Sequence, residues 1–394
     1  MKFPTRRTVA LGSAGVLTAT AITAGVWFGA ASASPAPSTV DRVVQQQLDG
    51  LVDLGFPAAL ASVTHPDGSH DDYVAGVGDL ATGSAVPVDG EVRAGSNTKT
   101  FTAVVVLQLA EEGLIRLDEP IETFLPGLVH GAGIDGAAIT VRQLLQHTSG
   151  LPDYTTGIAT DLEAIQHAYR SPRDLLDLAL AQPARFAPGT SWEYSNTNYL
   201  LLGILIERLT QRPVGEVITD RIIEPLDLTH TYFPAVGEQE LRGDHPHGYH
   251  RGADGELADV SELDPSFGWA AGQLVTTPSE LNEFFRAVLD GRLVSDATLD
   301  EMQTTVPADQ GLWVGSEYGL GIESYPLSCG GVIWGHGGDI QGYQTRDGVT
   351  ADGTGFTVAV TALPWGIIDP SDEDRVMDAY RAVTTAVDEV LCAE

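Results

Sequence analysis

Lysine is almost missing from this 394-residue chain. It occurs twice, at Lys2 and Lys99, and every other fixed cation is arginine. Arginine does not give up its proton in a protein, so in the body of the chain Lys99 is the one side chain able to act as an amine base. Positive charge is scarce altogether: 21 Lys and Arg stand against 54 Asp and Glu, for a formal net charge of -33. So acidic a surface argues against nucleic acid and anionic membrane as partners, and suits a soluble secreted or salt-tolerant protein. A Gly-x-Ser-x-Gly elbow is absent, which disfavours an α/β-hydrolase. There is no phosphate loop, no internal repeat and, after the N-terminal segment, no apolar run long enough to span a bilayer. The length allows two domains or one elaborate one, and a hydrophobic content of 43% supplies a normal core.

Residues 1–33 read as an export signal. Lys2, Arg6 and Arg7 form a positive start, Thr8 to Ala30 is uncharged and mostly apolar, and Ala31-Ser32-Ala33 is a small-x-small cleavage site. The Arg6-Arg7 pair raises twin-arginine export; an uncleaved membrane anchor is the alternative. The expectation is a secreted protein cut near Ala33 and three charges more negative than the full chain. Two cysteines, Cys329 and Cys392, are expected to pair in an oxidising compartment.

Apolar spacing predicts a helix over 39–54, strands over 57–63 and 72–78 about the turn Pro66-Asp67-Gly68, and a loop or short strand over 79–92. From about Leu117 to Leu289 helical patterns dominate, at 141–145, 172–181, 198–210, 214–223 and 278–289, the last capped by Thr277. Strand signals return at 318–324, 332–336, 342–347 and 355–362, with a hairpin loop at 349–354, and a helix closes the chain over 372–391. The division expected is a discontinuous α/β domain, 38–116 and 290–394, with a mostly helical domain, 117–289, inserted.

The stretch Ser96-Asn97-Thr98-Lys99 precedes an apolar helical run that ends at Gly113. Residues i and i+3 share a helix face, so the Lys99 amine reaches the Ser96 hydroxyl. A serine needs a base to become a nucleophile, and a lysine whose pKa is pushed down by burial can be that base. The free N–H groups at the helix start favour a developing oxyanion. Two distant stretches have matching chemistry: Tyr194-Ser195-Asn196, and Gly335-His336-Gly337-Gly338 running on to Gly342-Tyr343.

These three stretches, in this order and with these gaps, resemble the Ser-x-x-Lys, Tyr-x-Asn and Lys/His-x-Gly motifs of the serine D-alanyl-D-alanine carboxypeptidases of Streptomyces type and of class C β-lactamases. Ile139 to Leu151, with Gln146-His147-Thr148-Ser149-Gly150, and Trp269 to Leu274 also fit, and the likeness covers about residues 38–392. It implies an α+β fold of the β-lactamase/DD-peptidase kind, an antiparallel sheet flanked by helices with the site at its seam with the helical insertion.

The resemblance implies Ser96 as the acylated nucleophile, with Lys99 and Tyr194 as the proton-transfer unit. His336 is expected to face the site from a strand and donate or relay a proton. Asn196 would hold the substrate's amide oxygen. The N–H groups of Ser96 and Asp339 would form the oxyanion hole, and Gly337 and Gly338 would let substrate lie close. Phe267 or Trp269 would supply an apolar wall. No metal and no organic cofactor is expected. The leading substrate is a peptidoglycan stem peptide ending in D-Ala-D-Ala, with β-lactams as covalent mimics, on a monomer. The alternatives are a β-lactamase or a carboxylesterase acting on a small ester or amide, and a non-catalytic β-lactam or peptidoglycan sensor. Gly337 departs from the family's usual hydroxyl residue. No Lys or Arg lies between Leu293 and Thr345, where related carboxypeptidases place an arginine for the substrate carboxylate; that strand carries Glu323, and the next cation is Arg346. Three further groups are read as structural: His245, His247 and His250 in a loop without metal-binding spacing, His147 as a cap at a helix end, and His70-Asp71-Asp72 as a solvated turn.

Overall fold

A computed structural model describes residues 38–158, 166–252, 255–308 and 312–393; the segment 1–33 lies outside them. Nine strands form the main sheet: β1 (Ala58–Thr64), β2 (His70–Gly76), β3 (Val306–Pro307), β4 (Glu317–Tyr318), β5 (Glu323–Pro326), β6 (Val332–Gly335), β7 (Gly338–Ile340), β8 (Tyr343–Val349) and β9 (Gly355–Val360). Their order is β2-β1-β9-β8-β6-β5-β4-β3, and β7 also pairs with β8. Every pairing is antiparallel.

The main helices are α1 (Thr39–Asp53), α2 (Thr98–Glu111), α3 (Val141–Leu145), α4 (Pro172–Leu180), α5 (Asn196–Thr210), α6 (Pro278–Leu289) and α7 (Glu373–Leu391). Ser38 and Asp41 form a capping box that starts α1. Strands β1, β8 and β9 are buried along their whole length, as strands covered on both faces must be. One face follows from the period of two: Ala59, Ala61, Val63, Phe356 and Val358 join one core with Val44 and Leu48 of α1 and Val383 and Val387 of α7. On the other face Asn282 of α6 donates to Ser62 O and accepts from Thr357 Oγ1.

Helix α6 is counted with the helical insertion by the sequence, yet it packs between sheet and helices. Asn282 faces the strands, while Phe284 stacks on Phe101 of α2 with ring centroids 3.5 Å apart. Eleven of the fourteen residues of α2 are buried, so it has no solvent face and forms the centre of the larger core with α3, α5 and α6. The span 117–140 is less helical than its pattern implies, holding a short 3-10 turn, Ile121–Thr123, and a two-residue ribbon, His130–Gly131 with Ile134–Asp135. Cys329 and Cys392 form a disulfide that ties the turn between β5 and β6 to the end of α7.

One irregularity positions the site. β6 stops at Gly335, β7 begins at Gly338, and both pair with β8. At the break the His336 N–H donates to Asp347 Oδ1 at 3.0 Å, so a side chain takes the place of a ladder carbonyl. The sequence predicts one strand running to His336; the residue instead begins the kink.

Candidate active site

Ser96 lies in a 3-10 turn, Gly95–Asn97, that runs into α2. Gly95 has φ 51°, and a Cβ there would stand 2.7 Å from the Asp339 nitrogen, so only glycine lets the turn lie against β7. Gly338 serves the same approach from the other side, since a Cβ on it would meet Ala94 O at 2.0 Å. It is buried under the turn and does not line the cleft, contrary to the expectation that it would touch substrate; Gly337 does line it. The backbone nitrogens of Ser96 and Asp339 thus lie on adjoining segments at one end of a cleft of about 340 Å³.

Lys99 is fully buried, and its Nζ contacts three oxygens: Ser96 Oγ at 2.9 Å, Asn196 Oδ1 at 2.7 Å and Ala271 O at 2.8 Å. Burial pushes its pKa down to about 7, against the smaller opposing pull of Asp153, Glu323 and Asp339. Two of the three oxygens can only accept. A neutral amine satisfies them with its two hydrogens and turns its lone pair to the third, the Ser96 hydroxyl. That is the arrangement a general base requires.

Asn196 is held by Asp153, a residue the sequence did not single out. Asp153 Oδ2 accepts from Asn196 N at 3.1 Å and from Nδ2 at 2.8 Å, which fixes Oδ1 toward Lys99. The amide has two Nδ2 hydrogens: Asp153 engages one and leaves the other, in the cleft that Asn196 lines, for the expected bond to the substrate's oxygen, while Oδ1 orients Lys99. Tyr194 is half-buried in the cleft lining, with the Lys99 Nζ 4.9 Å from its ring centre. Its Oη makes no hydrogen bond of ordinary length. Burial holds its pKa well above the usual phenol value, opposed by the Ser96 hydroxyl.

His336 lines the cleft but is 1% exposed. Its Nδ1 meets Gly337 O at 2.7 Å and its Nε2 meets Tyr318 Oη at 2.9 Å. Burial, with Lys99 and Arg346 nearby, lowers its pKa to about 3, so the ring is neutral. Phe267 lines the cleft as expected of an apolar wall. Trp269 does not: its ring is directed at Gly203 of α5, because the backbone turns to φ 38° at this residue. His147, read as a helix-end cap, follows α3 with φ 58° but is fully buried, its ring 4.3 Å from that of Tyr194.

The outer wall is acidic. Glu323 on β5 lines the cleft, with Oε2 accepting from Tyr325 Oη at 2.7 Å and Oε1 3.8 Å from His336 Nε2. Burial raises its pKa. Arg346 also lines the cleft, but its Nη1 is paired with Asp339 Oδ1 at 2.7 Å and donates to Thr345 O. Asp347, beneath them, is pushed up to about 8 by burial and so carries a proton at neutral pH. Among the described residues no group of three or more His, Cys, Asp or Glu has the geometry to hold a metal ion.

The family model for β-lactamase matches residues 40–380, and the chain belongs to that family. Among solved structures it is similar to a D-stereospecific amidohydrolase from a Streptomyces species, at 37% identity and a TM-score of 0.77 over 87% of this chain and 98% of that one. It is also similar to the D-amino acid amidase of Ochrobactrum anthropi SV3, at 28% identity and a TM-score of 0.78 over 90% and 98%. Among curated proteins, penicillin-binding protein 4 of Amycolatopsis lactamdurans is 29% identical over 64% of this chain and 65% of its own length. Protein flp of Staphylococcus aureus is 33% identical over 35% and 27%. The chain thus spans between about a quarter and two thirds of the length of these two.

Proposed function

We propose that the protein is an exported amide hydrolase that works through an acyl-enzyme on Ser96 and prefers D-amino-acid amides or short peptides carrying a free ammonium group. The observation that carries the preference is the charge of the cleft wall. Glu323 presents a carboxylate with one oxygen unspent, whereas the guanidinium of Arg346 is already engaged by Asp339. A buried carboxylate of the substrate would lack a free cation, which is costly, while an ammonium finds a partner. The names of the amidohydrolase and amidase relatives support an amide substrate of D configuration. The disulfide and the pattern of residues 1–33 support export.

Neutral Lys99 takes the proton as Ser96 Oγ attacks the carbonyl carbon. The oxyanion is met by the N–H groups of Ser96 and Asp339. As the C–N bond breaks, Tyr194 gives its proton to the leaving amine and takes in turn the one held by Lys99 beside it, which leaves Lys99 neutral for the second step. Water then attacks the ester with the same base, releasing the acid and restoring the serine.

The alternative is a D-alanyl-D-alanine carboxypeptidase. The presence of Arg346 in the cleft lining favours it, provided the arginine exchanges Asp339 for the substrate's carboxylate. Rates on D-phenylalanine amide, its N-acetyl derivative, and a peptide ending in D-Ala-D-Ala with its C-terminal amide separate the two. A preference of about tenfold or more for the free ammonium is expected. A large preference for the free-acid peptide over its amide assigns the carboxypeptidase instead. A chromogenic cephalosporin and a nitrophenyl ester, run alongside, rank the lactamase and esterase activities, and a burst that stops after one equivalent identifies a sensor.

A further inference from the structure

Three buried side chains around the cleft form a hydrogen-bonded line from the helical side to the sheet: His147 after α3, Tyr318 on β4 and His336 at the strand break. His147 Nε2 lies 3.2 Å from Tyr318 Oη, which lies 2.9 Å from His336 Nε2. All three are at most 1% exposed. The direction of each bond is set from both ends. At the first, His147 Nδ1 receives the Ser195 backbone N–H at 3.2 Å and Asn198 Nδ2 at 2.9 Å. The Ser149 hydroxyl, 2.6 Å from Asn198 Oδ1, holds that amide in place. A backbone N–H can only donate, so Nδ1 is bare and the His147 proton is on Nε2, directed at Tyr318. At the second, His336 Nδ1 faces the carbonyl of Gly337 at 2.7 Å. A carbonyl can only accept, so the His336 proton is on Nδ1 and its Nε2 must receive the Tyr318 O–H. Neither ring can hold a second proton without spoiling a bond, and burial, with Lys99 beside both, opposes the cation.

We propose that His147, acting through Tyr318, locks His336 as the neutral Nδ1–H tautomer, so that His336 is a positioning residue and not a proton donor to the leaving group. The lock fixes the Gly337 carbonyl and with it the kink that carries the Asp339 nitrogen to Ser96. It also leaves Tyr194, whose Oη is unpartnered, as the hydroxyl available for proton return. His147 and Tyr318 are then positioning residues for the acylation proposed above, joining the helical half of the site to the strand half. Around His336 the other ionisable groups are Glu323, Asp347, Arg346, Lys99 and Tyr194; around His147 they are Lys99, Tyr194 and Tyr199.

The first test, spectroscopic, does not depend on substrate. In the full-length protein with 15N-histidine, long-range proton–nitrogen spectra distinguish the two tautomers, and His147→Asn and His336→Asn variants assign the two rings. The expected result is Nε2–H for His147 and Nδ1–H for His336, with neither titrating between pH 5.5 and 8.5. An Nε2–H signal for His336, or an imidazolium forming at either ring in that range, overturns the proposal whatever the enzyme's substrate. Tyr318→Phe removes the donor to His336; its spectrum should shift towards the other tautomer. With D-phenylalanine amide kcat should fall roughly 10- to 100-fold, with KM changed less than about twofold, the cost of a misplaced reacting group. A Tyr318→Phe protein with the wild-type spectrum and kcat refutes it. Should this variant not fold, the wild-type spectrum decides alone.

Discussion

On the floor of the cleft, around Lys99, donors and acceptors match: two accepting oxygens for two amine hydrogens and one hydroxyl for the lone pair. On the wall that faces it, Glu323 and Asp339 bring two carboxylates to one guanidinium. The floor is built from residues three apart on one helical turn, closed by Asn196 and oriented by Asp153. The wall is built from strands β5, β7 and β8, which pair with their near neighbours in sequence. The difference separates two tasks. A balanced floor does one piece of proton chemistry on any acyl group, and an unbalanced wall decides which charge the substrate brings.

The strongest test of the floor is Ser96→Ala. Activity should fall by roughly 10⁴-fold or more, and a penicillin that labels the wild-type chain should leave no adduct on the Ser96 peptide. A label elsewhere, or an active variant, ends the assignment. Lys99→Arg keeps the charge but cannot offer a lone pair, and should cost at least about 100-fold in the acylation rate. In the wild type the active form is the neutral amine. kcat/KM should therefore rise with pH through about 7, the value to which burial brings Lys99, and fall away below it as the ammonium forms. A flat profile from pH 6 to 8 would assign Lys99 an electrostatic part instead.

The wall is tested by Glu323→Gln. The preference for a free-ammonium amide over its N-acetyl derivative should shrink by about tenfold, the scale of one charge-assisted hydrogen bond, with the N-acetyl rate nearly unchanged. Equal losses on both substrates would place Glu323 with the floor. The smallest effect on activity is expected far from both regions. Replacing Cys329 and Cys392 by serine opens a link across 63 residues and should lower stability by about 4 kcal/mol in the chain-entropy account, while kcat stays close to wild type. Unfolding curves and rates on the same preparation check it.

The same two regions differ in how far they can be read from sequence. Ser96 and Lys99 are legible because a helix turn makes i and i+3 neighbours, and the scarcity of lysine makes the pair conspicuous. The strands and terminal helices follow from apolar periodicity, whereas the antiparallel sheet follows from the resemblance of the three motifs to a known family. The break at His336 does not, since nothing local says that Asp347 will accept its N–H from the next strand. Nor does the engagement of Asn196, which depends on Asp153 43 residues away. Which of Phe267 and Trp269 forms the wall is not legible either, since the positive φ of Trp269, with its ring against Gly203 of α5, has no local signal. Tyr318 carries no signal at all until β4, α3 and the strand break are in place together.

The near absence of lysine has a practical side. Within residues 38–393 the folded chain presents Lys99 as its one side-chain amine, and that amine is 0% exposed. Amine-selective dyes, which decorate most proteins over their whole surface, should therefore pass over this region while it is folded. They would mark it once, at Lys99, when the helix carrying it opens. The rate of that single labelling event is a clock for local unfolding of the catalytic helix, readable by mass without any engineered probe.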